Sequence, residues 1–160
     1  MKTFDEIYNI CKLNEALIRL FELVFNKELD EQMILAEKIW QMYVDNADED
    51  WHTLHAKKLE LTKGKQYKLG CPLCNSYCKT KLDCSDQCPL KYNGKTCYME
   101  GSLCRQWKYA KTKEEAKKIA QFIVGRIRIA RAMRQQDANT SLNSAMLKNT
   151  KNNPFHFLNQ

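Results

Sequence analysis

The sequence predicts a mainly α fold, a helical domain with an inserted cysteine-rich segment. Three observations carry that expectation. Apolar residues recur every three to four positions before residue 63 and again after residue 112, the helical period. Two Thr-x-x-Glu capping texts, Thr3–Glu6 and Thr112–Glu115, open apolar runs. Between these stretches the period vanishes, and seven of the eight cysteines fall between Cys71 and Cys104. At 160 residues the chain is close to the length of one domain.

The N-terminal helical region is expected to cover 1–64. Residues 3–26 place Phe4, Ile7, Cys11, Leu17, Phe21 and Val24 on one face, with a break at Asn14 that can cap a second helix. Cys11 reads as a small core residue, since free cysteine is commonly buried. A helix over 30–45 follows, capped by Asp30. Its apolar side holds Met33, Ile34, Trp40, Met42 and Tyr43, with one acid, Glu37, among them. A shorter helix over 50–62 follows the acidic turn at 45–50 and stops at Gly64, a left-handed cap. His52 and His55 on it stand at i and i+3. They lack the Glu and the i, i+4 spacing of a metalloprotease helix, so they read as an exposed face.

Residues 105–136 form the basic helical part. From Thr112 onward Ile119, Ile123 and Ile127 share an apolar face expected to pack on the N-terminal helices. Residues 137–160 contain six Asn and Pro154 and read as a tail, ending in the apolar text Phe155-His156-Phe157-Leu158.

Charge is unevenly distributed. Residues 1–63 hold 8 Lys/Arg against 13 Asp/Glu, whereas residues 105–160 hold 12 against 3. Either the two halves pack together and neutralise each other, or the basic half faces a polyanion. No apolar run is long enough to span a membrane. The acids near the N-terminus do not suit a signal peptide. The expected location is therefore the cytoplasm, where thiols stay reduced and clustered cysteines usually mean metal.

The cysteine-rich segment, 65–104, reads Cys71-x2-Cys74-x3-Cys78-x5-Cys84-x3-Cys88-x8-Cys97-x6-Cys104. A two-residue gap lets the Cys71 and Cys74 thiolates reach one tetrahedral ion. Pro72 stiffens that turn, and Gly70 before it is expected to allow a close approach. The remaining ligands come from Cys84, Cys88, Cys97 and Cys104. Cys88 is favoured because Cys88-Pro89-Leu90 repeats the text of the first knuckle. Seven thiols exceed the needs of one zinc, so either some are spare or two ions are present. An iron–sulfur cluster is the other option, but the Cys-x2-Cys-x2-Cys run is absent. The segment is thus a predicted zinc-knuckle module.

The text Cys71-Pro72-Leu73-Cys74, then Cys84-x3-Cys88-Pro89-Leu90, Gly94-x2-Cys97 and Trp107 before a Lys-rich helix resembles small cysteine-rich, zinc-binding proteins encoded by bacteriophages. The resemblance covers about residues 70–125. This chain departs from it at Cys84-x3-Cys88, where the family has two intervening residues, and adds Cys78 and Cys104. It implies one metal site of Cys71, Cys74, Cys88 and Cys97, with Cys84, Cys78 and Cys104 as substitutes or a second site. It also implies a bacterial host cytoplasm, and it implies no reaction.

On the basic helix Lys113, Lys117, Arg128 and Arg131 fall on one strip beside the apolar face. Arg105 and Lys108, with Trp107 between them, extend the positive field upstream. Cations for phosphate and aromatics for bases are the requirements for binding single strands. Arg126 and Arg134 lean toward the apolar side, where they can snorkel or pair with acids. Nothing suggests an enzyme: there is no phosphate loop, no nucleophile beside a base, and no His-x-Glu before Cys71 as a zinc deaminase needs. The expected partner is RNA or DNA. Alternatives are a host nucleic-acid-processing protein complex, blocked by an anti-defence (anti-CRISPR-type) inhibitor, or a signalling nucleotide held by a sponge.

Overall fold

The computed structural model describes residues 26–151 together with Thr3 and Glu6. The body of the first predicted helix, Cys11 included, and residues 152–160 lie outside the described residues. The element order is α1 Lys27–Asp45, α2 Trp51–Leu61, a 3-10 turn at Lys68–Gly70, α3 Cys74–Tyr77, α4 Leu103–Lys108 and α5 Lys113–Lys151. The mainly helical fold class holds. Extended pairing among the described residues is limited to two isolated antiparallel bridges, Cys78 with Cys84 and Tyr92 with Lys95. No described helix is long and apolar enough to cross a membrane.

Local chemistry explains most of the helix ends. The Asp50 carboxylate accepts from the Thr53 amide at 2.9 Å and starts α2. At its other end the Gly64 amide donates to the Leu59 carbonyl at 2.9 Å, with φ +71 at Gly64, the left-handed conformation predicted there. The Thr3–Glu6 capping box forms, with bonds of 2.7 and 3.3 Å. At α5 only half of the expected box appears. Thr112 Oγ1 accepts from the Glu115 amide at 3.1 Å, while Glu115 Oε2 accepts from the Lys111 amide, one residue earlier than a box requires.

The expected tail is corrected over 137–151. α5 runs through this Asn-rich stretch to Lys151. Ala138 and Leu142, one turn apart, are buried, and Thr140 Oγ1 donates to the Gln136 carbonyl at 3.0 Å. Each Asn costs a helix only a few tenths of a kcal/mol, and extending an existing helix avoids the cost of nucleation.

The chain divides into two compact units, Glu28–Arg131 and the segments outside it, Met1–Lys27 with Ala132–Gln160. In the 28–131 unit, Met33, Ala36, Ile39 and Trp40 of α1 share one core with Ala120, Ile123, Val124 and Ile127 of α5. Leu73, Cys84, Cys88, Leu90 and Leu103 from the cysteine stretch belong to that same core. Each fully buried aliphatic side chain contributes roughly 1.5–3 kcal/mol. Ile119 is only partly buried.

The acid on the apolar side of α1 is explained by ion pairing. Glu37 accepts from Arg128 Nε at 2.8 Å and from Arg131 Nη1 at 2.8 Å. Burial raises the Glu37 pKa, but the two guanidinium bonds outweigh it and hold the carboxyl below its ordinary value. The acidic and basic halves thus neutralise each other at this point.

Candidate functional site

Backbone conformation sets out the first knuckle. Leu69 and Gly70 both take positive φ, +60 and +77, which turns the chain sharply before Cys71. No atom lies within 4 Å of where a Gly70 side chain would begin, so the glycine serves conformation rather than the expected close approach. Pro72 and Leu73 are fully buried and anchor the knuckle in the core. The Cys74 amide donates to the Cys71 carbonyl at 3.1 Å, and Cys74 begins the single turn of α3.

The other cysteines are held by backbone bonds and by side chains that bond backbone. Lys79 N donates to Asp83 O and Ser85 N donates to Tyr77 O, at 2.9 and 2.8 Å. These bonds bracket Cys78 and Cys84 as a non-hydrogen-bonded pair, the arrangement that sets cross-strand side chains closest. Lys91 Nζ donates to the Cys84 carbonyl at 2.9 Å. Arg126 of α5 donates to the carbonyls of Pro89 and Lys91 at 2.7 and 3.1 Å, tying the loop after Cys88 to that helix. Ser102, fully buried, caps α4 and donates to the Cys97 carbonyl at 3.0 Å, which fixes Cys97 relative to Cys104.

All seven described cysteines are free thiols. Contacts run from Cys71 to Cys74, from Cys74 to Cys78 and from Cys78 to Cys84, with a separate contact between Cys97 and Cys104. Among the described residues no group of three or more His, Cys, Asp or Glu side chains stands ready to hold a metal ion. Their electrostatics are those of a crowd of potential anions. The Cys74 hydrogen bond holds the Cys71 thiol down. The Cys71 bond pushes Cys74 up, and the Cys104 bond pushes Cys97 up. Burial pushes up Cys88, and it takes Cys78 to about 12, with Cys84 adding to the effect. These thiols cannot ionise together without a cation among them.

A cavity of about 210 Å³ opens onto Cys71, Cys74, Cys97 and Cys104. It takes in three of the four cysteines that the phage resemblance implied, together with Cys104; Cys88 is not in its lining. Its aromatic wall includes Trp40, Tyr43 and Trp107, and Lys58 stands at its edge with Nζ 2.9 Å from the Gly70 carbonyl. Burial pushes the Tyr43 phenol up to about 12, with Cys71 and Cys104 adding to it. Cysteine spacing did not point to this wall. Its legible trace was Trp40 and Tyr43 on the apolar side of their helix.

The basic residues divide into engaged and exposed groups. Arg128 and Arg131 are committed to Glu37, and Lys113 donates to the Asp48 carbonyl. Lys117 is half-buried on α5. Trp107 stacks on Tyr43 at 4.5 Å and meets Trp40 edge-on at 5.2 Å. It is a wall of the core rather than the free stacking platform expected from the sequence. Arg105 and Lys108 are exposed, and both lie over the ring of Tyr109, at 6.0 and 5.6 Å. Tyr109 is 64% exposed and Trp51 is 53% exposed. Trp51 shares a groove of about 250 Å³ with Lys108, Lys111 and Lys113. His52 and His55 are exposed, with the His55 ring stacked on Trp51 at 6.0 Å.

The chain matches no protein-family model, and comparison with curated proteins and with solved structures gives no match.

Proposed function

We propose that this is a non-enzymatic binding protein. Thiolate-bound zinc holds its cysteine-rich stretch, and a basic aromatic surface around α4 contacts single-stranded nucleic acid. The zinc reading is supported by the donor chemistry: free thiols in contact, three of the seven buried and the rest half-buried. A zinc ion with about 2.3 Å bonds places its sulfurs about 3.8 Å apart, so it would draw two neighbouring pairs together and neutralise the charge that otherwise keeps them protonated. The resemblance to phage-encoded proteins supports a host cytoplasm, where such thiols stay reduced.

The observation that carries the nucleic-acid reading is the exposed Tyr109 ring flanked by Arg105 and Lys108, with Trp51 in the adjacent lysine-lined groove. The binding surface thus moves from the strip on α5 to α4 and the groove beside it. The test is anisotropy of labelled single-stranded RNA and DNA across a salt series. Replacing Arg105 and Lys108 with Ala should flatten the log–log salt slope by about 1.4, at about 0.7 per phosphate contact. Tyr109→Ala should weaken binding by roughly 1–3 kcal/mol with little change of slope, because stacking is not ionic. Arg128→Ala should leave the slope near wild type. Wild-type protein that shows no salt-dependent binding would overturn the reading.

A second reading is a protein-binding inhibitor of a host nucleic-acid-processing complex. It is favoured by Phe122 and Ile129, two turns apart on α5 and 47% and 62% exposed. Protein that binds no nucleic acid but engages a purified nuclease complex through these residues would select it.

A further inference from the structure

We infer, resting on the zinc–thiolate reading above, that the cysteine stretch holds two zinc ions sharing the Cys74 sulfur. Cys71, Cys74, Cys97 and Cys104 surround the first, and Cys74, Cys78, Cys84 and Cys88 surround the second.

The first argument is geometric. Cys71, Cys74, Cys97 and Cys104 open onto one cavity, and Cys78, Cys84 and Cys88 do not. The backbone joins the two groups at one residue: the Cys74 amide donates to the Cys71 carbonyl and the Cys74 carbonyl accepts from the Cys78 amide, each at 3.1 Å. A bridging ligand needs that position. Cys78 and Cys84 project together from their antiparallel bridge. Cys88 returns toward them through a turn in which its amide donates to Ser85 O at 3.1 Å.

The second argument is stoichiometric. Two tetrahedral thiolate sites have eight corners. Sharing one leaves seven, the number of cysteines between Cys71 and Cys104. A single zinc would instead leave three thiols without a ligand role, Cys84 and Cys88 being buried in the core whenever they are among them.

The third argument is charge. Seven thiolates around two dications carry about −3, so the cluster needs cations nearby. One lysine flanks each end. Lys58 bonds the Gly70 carbonyl, while Lys91, also paired with Asp86, bonds the Cys84 carbonyl.

The test is native mass spectrometry and zinc-edge X-ray absorption on the full-length protein purified under reducing conditions. Wild type is expected to carry two zinc ions with a zinc–zinc distance below about 4.6 Å, the limit for two bonds of about 2.3 Å through one sulfur. Cys88→Ser and Cys104→Ser should each keep one ion and lose the zinc–zinc signal. Cobalt titration of metal-free wild type provides a measurement independent of variant folding, and should saturate at two equivalents. Saturation at one equivalent, or two ions without a short zinc–zinc distance, would overturn the shared-sulfur cluster while leaving zinc binding intact. So would a Cys78–Cys84 disulfide in the wild-type mass. Absence of any zinc would instead remove the underlying zinc reading.

Discussion

The α1–α5 helix pair and the cysteine stretch between Cys71 and Cys104 share a core but are built differently. The helices satisfy their own backbone and meet through apolar side chains such as Ile39, Ile123 and Ile127. The cysteine stretch has one turn of helix and two isolated bridges. Its backbone is satisfied by short-range turn bonds, such as Ser85 N on Tyr77 O and Lys95 N on Tyr92 O, with Arg126 of α5 adding bonds to Pro89 and Lys91 and Thr96 adding one to Lys81. It contributes Leu73, Leu90 and Leu103 to the core, but much of its remaining interior is sulfur. Burial can sustain the helices, whereas the proposed zinc would supply the cross-links of the stretch, whose hydrogen bonds contribute only about 1 kcal/mol each.

Removing the proposed zinc should break this comparison most completely. Structural zinc supplies roughly 10–16 kcal/mol of binding free energy in small thiolate modules. Chelation, or Cys71→Ser, should bring amide exchange across 71–104 to near the unfolded rate while central α1 and the first turns of α5 stay protected. Uniform loss of protection in both regions would show that the two are one cooperative block. Equal protection with and without metal would show that the stretch needs no cross-link.

Core truncations come next in size. Ile123→Ala empties a fully buried site in the shared core and should cost about 2–5 kcal/mol in denaturant unfolding. Trp107→Ala removes a ring stacked on Tyr43 and should cost about 3 kcal/mol, with destabilisation exceeding any direct effect on binding. If Trp107→Ala instead leaves stability intact and abolishes binding, the ring belongs to the surface site.

The smallest effect is the ion pair that stitches α1 to α5. Glu37→Gln should cost about 1–2 kcal/mol near neutral pH, reduced by the partial exposure of Arg128. The folded Glu37 carboxyl lies below its ordinary value of 4.5. Its contribution is therefore complete above that value and fades as pH falls through the lowered folded one. Wild type and Glu37→Gln should converge in stability at strongly acidic pH. A constant difference down to that pH would contradict the pairing.

What could be read from the chain alone is local. Helix phase depends on residues three and four apart, so α1, α2 and the start of α5 were legible from apolar spacing, and Gly64 and Thr112 from capping chemistry, whereas α1 starts at Lys27, ahead of the expected cap Asp30. The reading failed where a helix end had no local stop: no Gly or Pro interrupts 137–151, and mildly unfavourable Asn residues did not end α5. The cysteine spacing suggests a metal site, but seven candidate thiols left its grouping open. Placement of Cys104 on the cavity, rather than Cys88, depends on a Ser102 cap and on loops tied down from other helices. The availability of each cation was also decided at long range. Arg128 and Arg131 look like phosphate ligands on a helical wheel, yet their carboxylate partner lies 91 and 94 residues away. Helical periodicity reports which face a residue occupies. Only tertiary packing determines whether the charge on that face meets a carboxylate, a carbonyl or water.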